Sequence, residues 1–302
     1  DGEQRIRFKH CVNNLKRFVR VNEYLAEFIG LYVAEGSCRR SQDNGQWRYQ
    51  GFELSLGSDE EKLAVRAKNM IENLFGLPAV VKQEGSVLSV GAYSGQLGQL
   101  LSDWCGEDCY TKKFPDWLAR AELGLFTAGI KGWMRGDGTR ANLTGSTTSR
   151  TLAVQIFQGL ASNELTASIS RVEPDVWEIE GRKGKTAASY PLQLSGKTAE
   201  ALSKGIGVEI IRKRPTYQHH AAVLSTKNGI WFDISEILAE EGEKTDVYTF
   251  GVREDESYVA DGLATHNCPR KFAVFYVEGL QPPKMSEALA RGSLVHEGMK
   301  HH

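Results

Sequence analysis

Two stretches of the chain share one pattern of apolar and small residues. Residues 28–36 read FIGLYVAEG and residues 130–138 read IKGWMRGDG, both helix-like, with small residues four apart (Gly30 and Ala34; Gly132 and Gly136) and then an acid and a glycine. The acids, Glu35 and Asp137, stand 102 positions apart, and the Ser-Gly pairs at 94–95 and 195–196 stand 101 apart. KLAVRAKNMIENLFG (62–76) and TLAVQIFQGLASN (151–163) both carry the helical period. Their Leu63 and Leu152 are offset by only 89, which suggests a longer loop at SQDNGQWRYQ in the first copy. Each copy therefore predicts helix, strands, helix, strands, helix, and a duplicated α/β half-domain over roughly 20–206.

Small residues at i and i+4 let two helices approach closely along one face. The glycine after each acid predicts a helix ending in a left-handed residue. If the two helices pack together, Glu35 and Asp137 become neighbours at C-terminal ends where the helix dipoles are also negative. Two such acids repel unless a cation lies between them. A hard divalent ion such as Mg²⁺ takes carboxylate and water oxygens and can activate water for phosphodiester cleavage.

Composition narrows the setting. The chain has 302 residues, 41% hydrophobic and 25% charged, with a net charge of -1, which suits a soluble globular protein of about two domains. No run approaches the roughly 18 apolar residues of a membrane span, and the start DGEQRIRFKH lacks a signal-peptide core. The expected location is the cytoplasm, without a membrane partner. Five cysteines at unrelated spacings argue against a disulfide framework. Cys105 and Cys109 stand about a helical turn apart but have no second pair to complete a metal site.

The paired nonapeptides resemble the defining motifs of the LAGLIDADG homing endonucleases, and KKFPDWL (112–118) resembles the family's lysine-proline block. The resemblance implies an α+β fold of two αββαββα halves related by a pseudo-two-fold axis. It also implies a saddle of antiparallel strands in the DNA major groove, with double-strand cleavage at a long asymmetric site. Glu35 and Asp137 would then ligate Mg²⁺, and Lys113 is the candidate for the family's active-site basic residue. Strands around RRSQDNGQWRYQ, KQEGSVLSVGA and EIEGRKGKTA would face DNA, with Arg39, Arg40, Arg48, Arg182, Lys183 and Lys185 as phosphate or base contacts.

A different pattern follows. Apolar alternation at Val247, Phe250 and Val252, and again at Tyr258 and Val259, is broken by charged residues and a DG turn, predicting short antiparallel strands. From WFDISEIL onward the chain resembles the C-terminal motifs of inteins, ending in His266-Asn267 with Cys268 next. This implies a partial all-β Hedgehog/intein (HINT) splicing domain. Cys268 would accept an acyl group, Asn267 would cyclise and break the following peptide bond, and His266 would assist as an acid. Thr249 stands where inteins usually have Asp or Cys, and Glu256 where they often have His. Thr249 can still hydrogen-bond, and Glu256 can still exchange a proton.

The start carries neither a Cys or Ser nucleophile at position 1 nor a Thr-x-x-His block. The expectation is a C-terminal split-intein piece, or a truncation of the same region, that splices in trans with an N-terminal split-intein fragment. CPRKF, YVEGL and GSLVHEG resemble the beginning of RecB-like PD-(D/E)XK nucleases, in which the residue matching His296 often binds metal. That segment reads as host extein, ending at His301-His302, read as a tag remnant. The expected organisation is a linker at 1–20, the endonuclease at 21–206, the splicing segment at 207–267 and extein at 268–302. His219-His220 falls in the crossing between the two domains. The rival readings are a DNA endonuclease alone, with splicing lost, and an inert precursor whose endonuclease is a scaffold or DNA-binding module.

Overall fold

The structure is a computed structural model describing residues 4–7, 13–139, 143–179, 182–194, 196–206, 223–226, 229–232, 257–260 and 263–266. It divides into two compact units, Asp1–Glu236 and Ile237–His302. In the first, a ribbon of β1 (Arg5–Ile6) and β2 (Leu15–Lys16) leads into α1 (Glu23–Glu35). Then come β3 (Gly36–Asp43), β4 (Gln46–Gly57), α2 (Glu61–Phe75), β5 (Val80–Glu84), β6 (Val87–Ala92) and α3 (Gly95–Cys105). After the short α4 (Asp116–Ala119) the order recurs as α5 (Leu123–Gly136), β7 (Gly138–Thr139), β8 (Thr144–Thr147), α6 (Arg150–Ser162) and β9 (Ala167–Ile169). The hairpin β10 (Val176–Ile179) and β11 (Arg182–Lys185) is inserted before β12 (Tyr190–Leu194) and α7 (Gly196–Ile206). An antiparallel hairpin of β13 (Val223–Thr226) and β14 (Gly229–Phe232) completes this unit.

Two four-stranded sheets have matching orders, β3-β4-β6-β5 and β7-β8-β12-β9, with every pairing antiparallel. In each, the strand leaving the acid-bearing helix lies at an edge. Alternation sets the inner faces: Phe52, Leu54 and Leu56 of β4 and Leu192 and Leu194 of β12 are buried, whereas Ser55 and Gln193 are exposed. The second unit contains an antiparallel hairpin of β15 (Ser257–Ala260) and β16 (Leu263–His266), where Tyr258 and Val259 were expected to form a strand. Among the described residues no helix is long and apolar enough to cross a membrane.

Local chemistry explains the helix limits. Asn22 starts α1 and Ser94 starts α3 by accepting hydrogen bonds from the backbone N–H of Leu25 (3.0 Å) and Leu97 (3.3 Å). α2 buries only one stripe, Leu63, Ala67, Met70, Ile71 and Leu74, and ends at Gly76 with φ +69°. α1 instead is buried from Leu25 through Val33, as a helix enclosed on all sides must be.

The enclosing partner is α5, and the two backbones touch. A Cβ on Gly30 would lie 2.0 Å from the Gly129 carbonyl oxygen, and one on Gly132 would lie 2.0 Å from that of Glu27. The same 102-residue shift that relates Glu35 to Asp137 relates these contacts. Glu27, buried at this crossing, accepts hydrogen bonds from Arg66 (2.8 and 2.6 Å) and Arg135 (2.5 Å), with Lys131 at 3.5 Å. Burial pushes its carboxyl up, but Arg66, Arg135 and Lys131 outweigh burial and hold it below the usual range. One anion thereby ties α1 to α2 and α5.

Two expectations fail. Neither glycine after an acid is left-handed: Gly36 is extended (φ −87°, ψ 146°), and Gly138 is not among the residues with positive φ. Both are needed for space, because a Cβ would lie 2.4 Å from the Tyr32 carbonyl oxygen at Gly36 and 2.4 Å from that of Met134 at Gly138. SQDNGQWRYQ is not a loop but the end of a long hairpin. Asp43 pairs with Gln46 across Asn44 (φ 49°) and Gly45 (φ 79°), both left-handed as a tight hairpin turn requires.

Gly30→Ala and Gly132→Ala should each lower stability by about 1–3 kcal/mol or more in urea unfolding, since backbone rather than a movable side chain blocks the methyl. Gly124→Ala, with only Glu23 Oε1 at 3.4 Å, should be neutral or mildly stabilising. Equal effects at all three positions would contradict the crossing geometry.

Candidate active site

Glu35 is the last residue of α1, and Asp137 caps the end of α5, its N–H donating to the Trp133 carbonyl oxygen at 3.0 Å. The indole N–H of Trp133 donates to Asp137 Oδ2 at 3.1 Å. A Cβ on Gly136 would come within 2.5 Å of Glu35 Oε1, so a bare glycine leaves room for that carboxylate. Both acids line a cavity of about 450 Å³ with Lys112, Glu107, Ser146 and Thr147.

The carboxylates carry an electrostatic penalty. Desolvation and the neighbouring Glu35 push Asp137 from 3.8 to about 7, against the opposing effects of Trp133 and Lys112. Glu35 is also raised, by burial first and then by Glu60. Solvent reaches Asp137, so water screens part of the repulsion. Among the described residues neither carboxylate is ion-paired with a cationic side chain.

Lys112, not Lys113, supplies the lysine of the cavity. Its buried ammonium donates to the carbonyl oxygens of Gly36 (2.7 Å) and Tyr32 (3.2 Å) and lies 4.4 Å from the Tyr32 ring centroid. It thus covers the negative end of α1. Burial lowers its pKa, while Cys105, Cys38, Asp137 and Asp108 favour the charged form. Lys113 is half-buried and absent from the cavity wall, with its N–H bonded to the Cys105 carbonyl oxygen at 3.0 Å. The signal that separates them is Phe114: burial alternates over Lys112, Lys113 and Phe114, and ahead of Pro115, which disfavours a helix, the residue two before an apolar Phe shares its side.

The donor set suits a hard divalent ion. Glu35 and Asp137 offer oxygens whose mutual repulsion such an ion relieves. Among the described residues no group of three His, Cys, Asp or Glu side chains is suited to hold a metal, so further ligands among them would be backbone carbonyl oxygens, with water or substrate oxygens completing the set. Cys105 is buried, its thiol pushed up to about 12 by that burial, whereas Cys109 is exposed.

The expected DNA-contact residues divide. A register shift follows Arg39 in the β3–β4 pairing, and β3 continues its alternation, so Arg39 and Arg40 lie on opposite faces. Arg39 bonds Glu53 (2.8 Å through Nε) and the Tyr93 hydroxyl (2.9 Å). Arg40 reaches Glu107 (2.7 Å) beyond α3 and stacks over Trp47. Arg48 is exposed, with Asp43 at 3.3 Å. Lys183 and Lys185 are exposed on β11, the strand that starts at Arg182. His266 ends β16, paired with Ser257. Thr249, Glu256, Asn267, Cys268, His219, His220, His296, His301 and His302 lie outside the described residues.

No family model and no curated protein matches this chain. Solved structures that resemble it include variants of the homing endonuclease I-DmoI (13% identity, TM-score 0.44, covering 62% of this chain and 96% of that one). I-DmoI in complex with DNA and Mn is similar at 16% identity and TM-score 0.42, covering 62% and 97%. Full-length DUF199/WhiA from Thermatoga maritima is similar at 15% identity and TM-score 0.36, covering 64% and 57%. The architecture itself is mixed α+β with antiparallel sheets.

The sign of the Asp137 shift gives a stability test. Between 3.8 and about 7 the folded chain holds a proton that the unfolded chain releases, so its stabilising effect is present at low pH and lost as pH rises to about 7. Thermal unfolding of metal-free protein should show this loss, and Asp137→Asn or added Mn²⁺ should reduce it. A wild-type profile matching that of Asp137→Asn across this window would contradict the assignment.

Proposed function

We propose that the chain is a metal-dependent endonuclease acting on double-stranded DNA, with a protein-splicing segment over 207–267. The observation that carries the nuclease reading is the convergence of Glu35 and Asp137 at a polar cavity, with Lys112 alongside and two antiparallel sheets leading away from it. In this reading the halves are copies of one αββαββα unit and together form the LAGLIDADG-type domain. Glu35 and Asp137 would hold a divalent ion, with Mg²⁺ the expected one, which supplies water activation and charge stabilisation at the phosphate.

The protein groups have separate tasks. The carboxylates bind and orient the metal. Lys112 sets a positive charge beside Asp137 and covers the carbonyl oxygens at the end of α1, fixing the helix that carries Glu35. Arg39 and Arg48 on the outer face of one sheet, Gln193 on the outer face of the other and Lys183 and Lys185 on β11 offer contacts to phosphates and base edges.

The second reading rests on the adjacency of His266, Asn267 and Cys268. The Cys268 thiolate takes an acyl group from an upstream thioester and displaces its thiol. The Asn267 side-chain nitrogen then attacks its own carbonyl carbon, forming a succinimide and releasing the Cys268 amine, which His266 protonates. Transfer of the acyl group from sulfur to that amine restores a peptide bond and frees the thiol. An N-terminal split-intein fragment would supply the upstream thioester.

The two activities separate by mutation. With Mg²⁺ or Mn²⁺ and a randomised duplex library, Glu35→Gln or Asp137→Asn should abolish cleavage while DNA binding persists. Asn267→Ala should stop C-terminal release, read by intact mass with the N-terminal fragment present, and leave cleavage unchanged. DNA binding without cleavage by the wild type under every metal would replace the nuclease reading with a DNA-binding one.

A further inference from the structure

Lys112 poses a physical problem. A buried ammonium with no bonded carboxylate among the described residues is costly, and a lysine stem is long enough to carry its charge out to water. Its inward course must therefore be imposed by the backbone that carries it.

That backbone is held by α6. Ser149 Oγ donates to the Lys112 carbonyl oxygen at 2.5 Å. Gln155 engages both backbone groups of Phe114, accepting its N–H at 2.8 Å and donating to its carbonyl oxygen at 2.9 Å. The amide thus behaves as a neighbouring β-strand would, which an apolar side chain of equal size cannot do. Ser149 is fully buried and also accepts the N–H of Leu152 at 3.2 Å, so one hydroxyl starts the helix and fixes the segment. Upstream, Thr148 Oγ1 donates to the Cys109 carbonyl oxygen at 2.9 Å.

We infer that Ser149 and Gln155 are positioning residues that clamp the segment at Lys112–Phe114 and thereby aim the Lys112 ammonium at the end of α1. The clamp spans the two halves: α6 belongs to the second, whereas the carbonyl oxygens Lys112 reaches belong to the first. The inference about catalysis rests on the nuclease reading, while the inference about Lys112 does not. A group misplaced by about 1 Å can lose roughly a hundredfold in rate, so the clamp governs turnover rather than DNA affinity.

The test is competitive acetylation of the full, metal-free chain by acetic anhydride, with Lys112 and Lys113 read separately by mass spectrometry. Wild-type Lys112 should be protected relative to Lys113. Loss of two hydrogen bonds in Gln155→Leu should raise Lys112 modification about tenfold, Ser149→Ala should raise it as well, and Ser149→Thr should restore protection. Gln155→Glu, which accepts from Phe114 N–H but cannot donate to its carbonyl oxygen, should fall between. Urea unfolding identifies variants that remain folded, and the conservative pair decides the matter if Gln155→Leu does not. Where cleavage is observed, Gln155→Leu should lower kcat with DNA affinity unchanged. Unchanged Lys112 protection in folded Gln155 and Ser149 variants would overturn the clamp. Absence of cleavage by the wild type would overturn the nuclease reading and leave the acetylation result to decide the clamp.

Discussion

The contact on which the rest depends is backbone against backbone where α1 crosses α5. Gly30 faces the Gly129 carbonyl oxygen and Gly132 faces that of Glu27, with no space for a methyl in either place. Because the helices meet at main-chain distance, their ends also meet, and the residues at those ends have little freedom. Glu35 and Asp137 become neighbours because glycines allow the helices to become neighbours. The edge strands β3 and β7 leave from that same point, so one sheet begins beside each acid.

Charge is distributed unevenly along the crossing. Toward the start of α1, the carboxylate of Glu27 is surrounded by Arg66, Lys131 and Arg135, and the resulting network binds three helices together. Removing one partner from such a network leaves buried charge uncompensated, commonly at a cost of about 3–5 kcal/mol. At the far end the balance is reversed: Glu35, Asp137 and two helix C-termini share a cavity that Glu107 and Asp108 also line, and Lys112 is the buried cation there. The crossing is therefore bound electrostatically at one end and strained at the other. That strain is the condition under which a divalent ion would bind.

Much of this was legible in the sequence, because a repeated spacing of small residues and acids reports the helix pair directly. Gly129 escaped notice since its counterpart in the other helix is Glu27, which is not small; only the crossing shows that its carbonyl oxygen faces Gly30. The glycines after the acids were assigned the wrong reason, space against a preceding carbonyl oxygen being invisible to local propensity. The hairpin through Asn44-Gly45 was taken for a loop because its residues are polar on both faces, as a strand pair projecting beyond the core can be. Arg39 and Arg40 were grouped by adjacency, although alternation sends them to opposite faces. Lys112 was missed for its neighbour, and its clamp residues resemble ordinary polar positions on an amphipathic helix until Phe114 is placed against Gln155.

Central to the proposed function is that Glu35 and Asp137 together form one divalent-ion site. Mn²⁺ binding followed by electron paramagnetic resonance, with the wild type compared with the double variant Glu35→Gln, Asp137→Asn, tests it most directly. Bound Mn²⁺ in the wild type, weakened as pH falls below about 7 and lost in the double variant, is the predicted result. Equal Mn²⁺ binding by the two proteins, or none by the wild type with or without duplex DNA, would contradict it.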